Sequence, residues 1–336
     1  MFGKVFYSVN AIRKPAPLNW RAMQTTRTSR AGKPPRHELS ASTPTAKAAQ
    51  VIEELRPGQS IELLKELHIL TREGKLNQDT RRKLKQVYHL YQFIEPLLKE
   101  VSADGQAFTL ADHGAGKSYL GFILYDLFFN VAHAGEPLAG QIYGIETRAE
   151  LVDKSRELAQ RLGFANMSFL NLSVQQATTS AELPLQVDIV TALHACDTAT
   201  DDAIAFGLHK QARHMVLVPC CQAEVAGVLR KNKALSLSKS PLAELWRHPL
   251  HTREFGSQIT NVLRCLQLEA SGYQVTVTEL VGWEHSMKNE LIIASRPATG
   301  SAGKTRQAQA RLREVLGELN LGELTARFEV APPDTD

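Results

Sequence analysis

A chain of 336 residues is long enough for one large catalytic domain with additions, and no stretch reaches the ~18 uncharged apolar residues of a membrane-spanning helix. Its four cysteines (Cys196, Cys220, Cys221 and Cys265) lack the spacing of a secreted disulfide framework, so the expectation is a cytoplasmic protein with no membrane partner. The net charge of +4 hides a division: residues 1–37 hold eight Lys and Arg and no acid, leaving 31 Lys and Arg against 35 Asp and Glu, a net of −4, in the remainder.

Residues 1–42 are expected to form a disordered basic tail, open between a nucleic-acid-binding arm, a targeting segment and sequence upstream of a start at Met23. From residue 43 to 101 the apolar spacing is helical, through Val51, Leu55, Leu63, Leu64, Leu67 and Leu70, then Leu84, Val87, Leu90, Tyr91, Ile94 and Leu98. Asn77 and Asp79 are candidate N-caps for the last of these helices, which is expected to run to Glu95-Pro96. Beyond Ser102 short β-like runs alternate with helical stretches, the spacing of βαβ units.

Seven strands are predicted: 107–111, 141–145, 167–171, 187–193, 214–218, 273–280 and 290–295. The link from 281 to 289 is too short for a crossover helix, so the last strand is expected to run antiparallel in an otherwise mostly parallel, Rossmann-like α/β sheet. The catalytic domain is placed at 102–298, with an insertion at 229–262 as a candidate substrate lid. Residues 299–336 read as a linker and an amphipathic helix carrying Leu312, Val315, Leu316 and Leu319.

The first strand leads into Asp112-His113-Gly114-Ala115-Gly116-Lys117-Ser118, and an apolar run from Tyr119 to Phe129 follows. Strand, glycine turn and helix N-terminus in that order bring backbone N–H groups close to a ligand. A relaxed phosphate-binding loop of a nucleotide triphosphatase satisfies the same letters. Against it stand the missing first glycine, the acidic Asp112 where phosphate would crowd it, and the lack of a later strand with a clear magnesium-binding acid. An acid at this turn suits S-adenosylmethionine (SAM), whose ammonium group a carboxylate can orient. Glu146, at the end of the second strand, is then the expected acceptor for the ribose hydroxyls, with a helix-start acid as its alternative. Ser173, after the third strand, is a candidate for contact with the adenine and equally a turn former. The cofactor set is therefore Asp112, Gly114, Gly116, Glu146 and Ser173.

Four strings carry a family resemblance over roughly residues 80–295: Asp112 to Leu120, Leu193-His194-Ala195-Cys196-Asp197-Thr198-Ala199-Thr200-Asp201, Val218-Pro219-Cys220-Cys221-Gln222, and Ser286-Met287-Lys288-Asn289. On them the chain resembles a class I SAM-dependent methyltransferase-domain family with bacterial members of unassigned substrate. More distantly it is similar to the glutathione S-transferase C-terminal-domain-containing protein and to the tRNA 2′-O-methyltransferases of the acceptor stem. The resemblance implies SAM and the seven-stranded fold, and no single substrate. Ser118 stands where that family has a third glycine, and Met287 where a proline is common.

Ligands of open α/β sheets lie outside the carboxyl ends of the strands, which puts His194 and Asp197 after the fourth strand beside the transferred methyl. His194 is the candidate proton acceptor, its alternative a backbone-bonded histidine; Asp197 is the candidate substrate-orienting residue. Thr200 and Asp201 are expected to cap the following helix. A zinc site from His194, Cys196, Cys220 and Cys221 fits no compact module, so no metal is expected.

Lys231, Lys233, Lys239, Arg247, His248, His251 and Arg253 on the insertion, and Arg81, Arg82, Lys83 and Lys85 with Tyr88 and Tyr91 before the domain, could track phosphates and stack bases. RNA is accordingly the favoured methyl acceptor and partner, against a solvated face with core tyrosines. A triphosphatase and a non-catalytic SAM-binding module are the rival functions.

Overall fold

The structure, a computed structural model, describes residues 54–135, 138–193, 195–219, 222–231, 241–280 and 290–328. His194, Cys220, Cys221, Lys233, Lys239, the string 286–289 and the tail 1–42 lie outside the described residues.

Two helices, α1 (Ile61–Glu66) and α2 (Gln78–Val101), precede the sheet. Asn77 caps α2 as expected, its side chain accepting the N–H of Thr80 while the Thr80 hydroxyl accepts that of Asn77. The helix does not stop at Pro96. It continues to Val101 because Leu98 and Val101 are buried against the core, which offsets the hydrogen bond that proline forfeits.

The strands are β1 (Phe108–His113), β2 (Gly140–Glu146), β3 (Met167–Asn171), β4 (Ile189–Leu193), β5 (His214–Val218), β6 (Gln274–Glu279) and β7 (Glu290–Ser295). They form one sheet in the order β3-β2-β1-β4-β5-β7-β6, with β7 antiparallel to both its neighbours and the first five strands parallel. β1 runs two residues further than its apolar pattern suggests. Asp112 and His113 stay in register with Gly144 and Ile145, and Asp112 also with Thr191, so polar residues continue the strand under cover of two neighbours.

The connecting helices are α3 (Tyr119–Tyr125), continued as a π-helix over Asp126–Ala132, then α4 (Ala149–Leu162), α5 (Val174–Thr179), α6 (Thr198–His209), α7 (Glu224–Lys231) and α8 (Pro249–Ala270). Apolar residues of α1 to α4 share one buried cluster with Phe108, Leu110, Ile142 and Ile189; those of α6 share another with Ala111, Val190 and Leu217. A third cluster joins α7 and α8 to α9 (Ala302–Glu318) through Val225, Leu229, Leu263, Leu312 and Leu316. Of the segment read as an insertion, residues 249–262 are thus the first part of a helix packed on two others. Among the described residues no helix is long and apolar enough to cross a membrane.

The chain leaves β1 for β2 and β3 on one side and returns to β4 on the other. That reversal opens a crevice at the carboxyl ends of β1 and β4, where doubly wound sheets take their ligands.

Candidate active site

At this crevice the backbone turns through Gly114 (φ +65°) and Gly116 (φ +60°), both left-handed, before α3 begins at Tyr119. Ser118 is left-handed as well (φ +50°), so it takes the conformation that a glycine would hold more easily. Its buried hydroxyl has no hydrogen-bond partner and lies where side chains at Gly121 and Gly144 would stand, 2.8 and 3.1 Å from their would-be Cβ positions. Two small residues therefore accommodate the missing third glycine, a compensation that only the fold brings together.

Glu146 reaches back from the end of β2 and accepts the Gly116 N–H at 2.8 Å. Its other donors are the Thr147 hydroxyl and the backbone N–H, Nε and Nη2 of Arg148, at 3.0–3.2 Å. Burial opposes the charge, yet the Arg148 guanidinium and the two backbone donors outweigh it and hold the carboxyl at about 2. Glu146 is therefore ionised and aimed at the turn. Arg148, which the sequence reading passed over, also extends over the turn, its Nη2 3.8 Å from a would-be Cβ on Gly116.

Asp112 lies beneath the turn, 2 % exposed, accepting the Thr191 hydroxyl at 2.9 Å and the N–H of Gly121. Burial raises its carboxyl to about 7 against those two donors. Both partners tie β4 and the start of α3 to the turn. Next to it, His113 is buried against Phe206 with neither ring nitrogen hydrogen-bonded, and burial lowers it to about 4 despite nearby Glu146. Ser173 caps α5 in a reciprocal pair with Gln176.

Past β4, Asp197 adopts φ +50°, ψ −121° at the start of α6, and its Oδ1 accepts the N–H groups of Ala223 and Glu224 at the start of α7. It thereby ties the loop after β4 to the loop after β5. Thr200 and Asp201 do not cap α6. Thr200 donates to the carbonyl of Ala195 at 2.6 Å, and Asp201 is drawn inward by the fully buried Arg264, because an unpaired guanidinium in that position would be costly. Arg264 also escaped the sequence reading, although a charge inside the apolar run Val262-Leu263-Arg264-Cys265-Leu266 is a usable signal.

The stacking half of the nucleic-acid reading does not hold. Tyr91 is fully buried with its hydroxyl on the Leu127 carbonyl, and Tyr88 is half-buried, bonded to Gln59 and accepting the Arg56 N–H, because the apolar face of α2 packs on the core. Arg81 is paired with Glu54, and Arg82, exposed like Lys83 and Lys85, lies 3.6 Å from the carboxylate of Asp79. In the segment after β5, Lys231, Arg247 and Arg253 pair with Glu323, Glu244 and Glu254. Among the described residues no group of His, Cys, Asp and Glu is arranged to hold a metal.

Residues 82–228 match the family model described as a methyltransferase domain. The match, less than half of the chain, and the seven-stranded fold together support a SAM-dependent methyltransferase. The match spans the glycine turn, Glu146 and the ends of β4 and β5, and the residues present fit the cofactor. Left-handed glycines leave backbone open at the turn, and an ionised carboxylate stands at the end of β2. A phosphate at this turn would instead meet the Glu146 carboxylate on the Gly116 N–H, which disfavours the triphosphatase reading.

No curated protein matches the chain. Solved structures similar to it include magnesium protoporphyrin IX methyltransferase from Synechocystis PCC 6803 with bound S-adenosylhomocysteine (SAH), 14 % identical, covering 70 % of this chain and 93 % of that one with a TM-score of 0.39. An rRNA methylase from Streptococcus thermophilus is 10 % identical, with coverage of 61 % and 94 % and a TM-score of 0.37. A SAM-dependent methyltransferase from Aquifex aeolicus is 19 % identical, with coverage of 66 % and 98 % and a TM-score of 0.34.

Proposed function

We propose that the protein transfers the SAM methyl group to RNA. The observation that carries this reading is the direction of α2. At the amino edge of the sheet its Glu100 lies 3.5 Å from His214, the first residue of β5; further back, Val87, Leu90 and Tyr91 line a small cavity with Tyr119 and with Leu193, the last residue of β4. A helix of 24 residues is about 36 Å long, so its first turns pass beyond the carboxyl edge. Exposed Arg82, Lys83 and Lys85 stand there, on the side where an acceptor would approach, and can neutralise phosphates. With Tyr91 in the core, binding in this reading is electrostatic, with no base stacking from α2.

In the same reading the backbone at Gly114 and Gly116 meets the methionine part of the cofactor, with Asp112 beneath it. Glu146 accepts from the ribose and Ser173 lies towards the adenine. The sulfonium supplies the electrophilic methyl when SAM is bound, leaving the protein to align an acceptor and remove its proton. His194, next after Leu193, is assigned the proton, and Asp197 the alignment of the loop.

Tritiated SAM, purified protein and an extract of cells lacking it test this reading after fractionation into RNA, protein and small molecules. Label in RNA is expected. Label confined to another fraction would overturn the acceptor, and SAH binding without label in any fraction would make the domain a non-catalytic binding module.

A further inference from the structure

Arg264 is the largest fully buried side chain of the described residues, and three of its four observed bonds go to Asp197 and Asp201, at the start of α6 after β4. Nε and Nη2 grip both oxygens of Asp201 at 2.7 and 2.8 Å, and Nη2 also donates to the carbonyl of Asp197 at 2.7 Å. Nη1 donates to Asn261 at 3.1 Å. The Asn261 oxygen takes a second bond from Gln222, next after Cys221, and its amide donates to Glu290, the residue that opens β7 after the 281–289 link.

One guanidinium thus fixes the end of the β4 loop and, through Asn261, the end of the β5 loop and the start of β7. It also stabilises a backbone that resists this shape. Asp197 is not glycine, yet it holds φ +50° and ψ −121°, a conformation that such a residue keeps only where its surroundings enforce it. The Arg264 bond to its carbonyl and its own carboxylate on Ala223 and Glu224 are the enforcing contacts. A buried ion pair is seldom the most stable way to fill a core, whereas a planar fork of donors fixes geometry well.

We propose that Arg264 is a positioning residue for methyl transfer: from α8, outside the stretch that matches the family model, it sets the two loops against which the acceptor is aligned. This rests on the reading that the acceptor lies over β4 and β5. It separates cofactor binding, which belongs to β1 and β2, from turnover, which needs the β4 and β5 loops in register.

The test compares the wild type with Arg264→Lys, which keeps the charge but cannot reach Asp201 and the Asp197 carbonyl together, and with the pair Arg264→Met/Asp201→Leu, which leaves no unpaired charge. SAH affinity is measured by calorimetry, folding by melting temperature, and turnover from tritiated SAM into an extract of cells lacking the protein. The expected result for a folded variant is SAH affinity within about twofold of wild type, an unchanged KM for SAM, and kcat at least tenfold lower. A role in stability alone would leave kcat of a folded variant untouched. Wild-type kcat in either folded variant, or loss of SAH binding in step with kcat, would overturn the proposal. An absence of labelling by the wild type would overturn the transfer reading and this proposal with it. If the double variant does not fold, Arg264→Lys decides by the same criteria.

Discussion

The carboxylate of Glu146 accepts the backbone N–H of Gly116 at 2.8 Å, closing the glycine turn against the end of β2. With Thr147 and Arg148 it receives five donors, more than the roughly four lone-pair sites of a carboxylate. A ribose diol can bind only by displacing some of them, and the exposed Arg148 side chain is the most easily moved.

Glu146→Ala is therefore expected to weaken SAH by about 1–3 kcal/mol, the scale of hydrogen bonds to a charged group. Arg148→Ala is expected to act in the opposite sense, tightening SAH about two- to fivefold, since a solvent-exposed ion pair is weak and yields to a competing ligand. Calorimetric titration checks both; weaker binding by Arg148→Ala would show that the guanidinium serves the ligand.

Gly114→Val is expected to abolish SAH binding while the fold survives. A would-be Cβ at Gly114 meets only the Cβ of Ala195, at 3.8 Å, so protein packing tolerates it. The left-handed backbone (φ +65°) adds about 1–2 kcal/mol of strain, visible as a lower melting temperature. Retained helicity by circular dichroism without SAH binding is the expected pair of results; wild-type affinity would remove the turn from the site.

Asp112 and His113 are expected to oppose each other in the dependence of stability on pH. The folded carboxyl of Asp112 is raised to about 7, so its contribution is fully present below about 4 and is lost as pH rises through 7. The folded imidazole of His113 is lowered to about 4, so its contribution is present above about 6.5 and is lost as pH falls through 4. At about 1.4 kcal/mol per unit the two amount to roughly 4 and 3 kcal/mol over nearly the same interval, and largely cancel. Asp112→Asn should therefore lose stability, relative to wild type, as pH falls from 7 to 4.5, and His113→Gln should gain it. Melting curves at several pH values decide, and parallel curves for all three proteins would contradict the assignment.

Replacing Arg82, Lys83 and Lys85 together by alanine is expected to weaken RNA binding and flatten its salt dependence by about 0.7–0.9 of log–log slope for each phosphate no longer neutralised. SAH affinity should stay unchanged, because none of these side chains is at the turn or at Glu146. Filter binding at several salt concentrations gives the slope. A slope indifferent to the three charges would leave α2 a solvated face and shift the search to protein or small-molecule acceptors.

The seven strands, the reversed last one and the order of strand, glycine turn and helix were legible because they depend on near neighbours in the chain: apolar alternation, a short link, glycines at a turn. The position of Glu146 at the end of β2 was legible for the same reason, since it follows an apolar strand. What the tertiary structure decided is which polar groups meet across distance. Thr191 lies 79 residues from Asp112, Arg264 63 residues from Asp201, and Gly144 fits Ser118 only because β2 runs beside the turn. Local pattern marks Thr200 and Asp201 as caps, which burial reassigned, and leaves Tyr91 open between stacking and the core, which burial decided for the core. An unpaired charge inside a core costs more than a cap contributes, and an apolar helix face gains more against the sheet than in water.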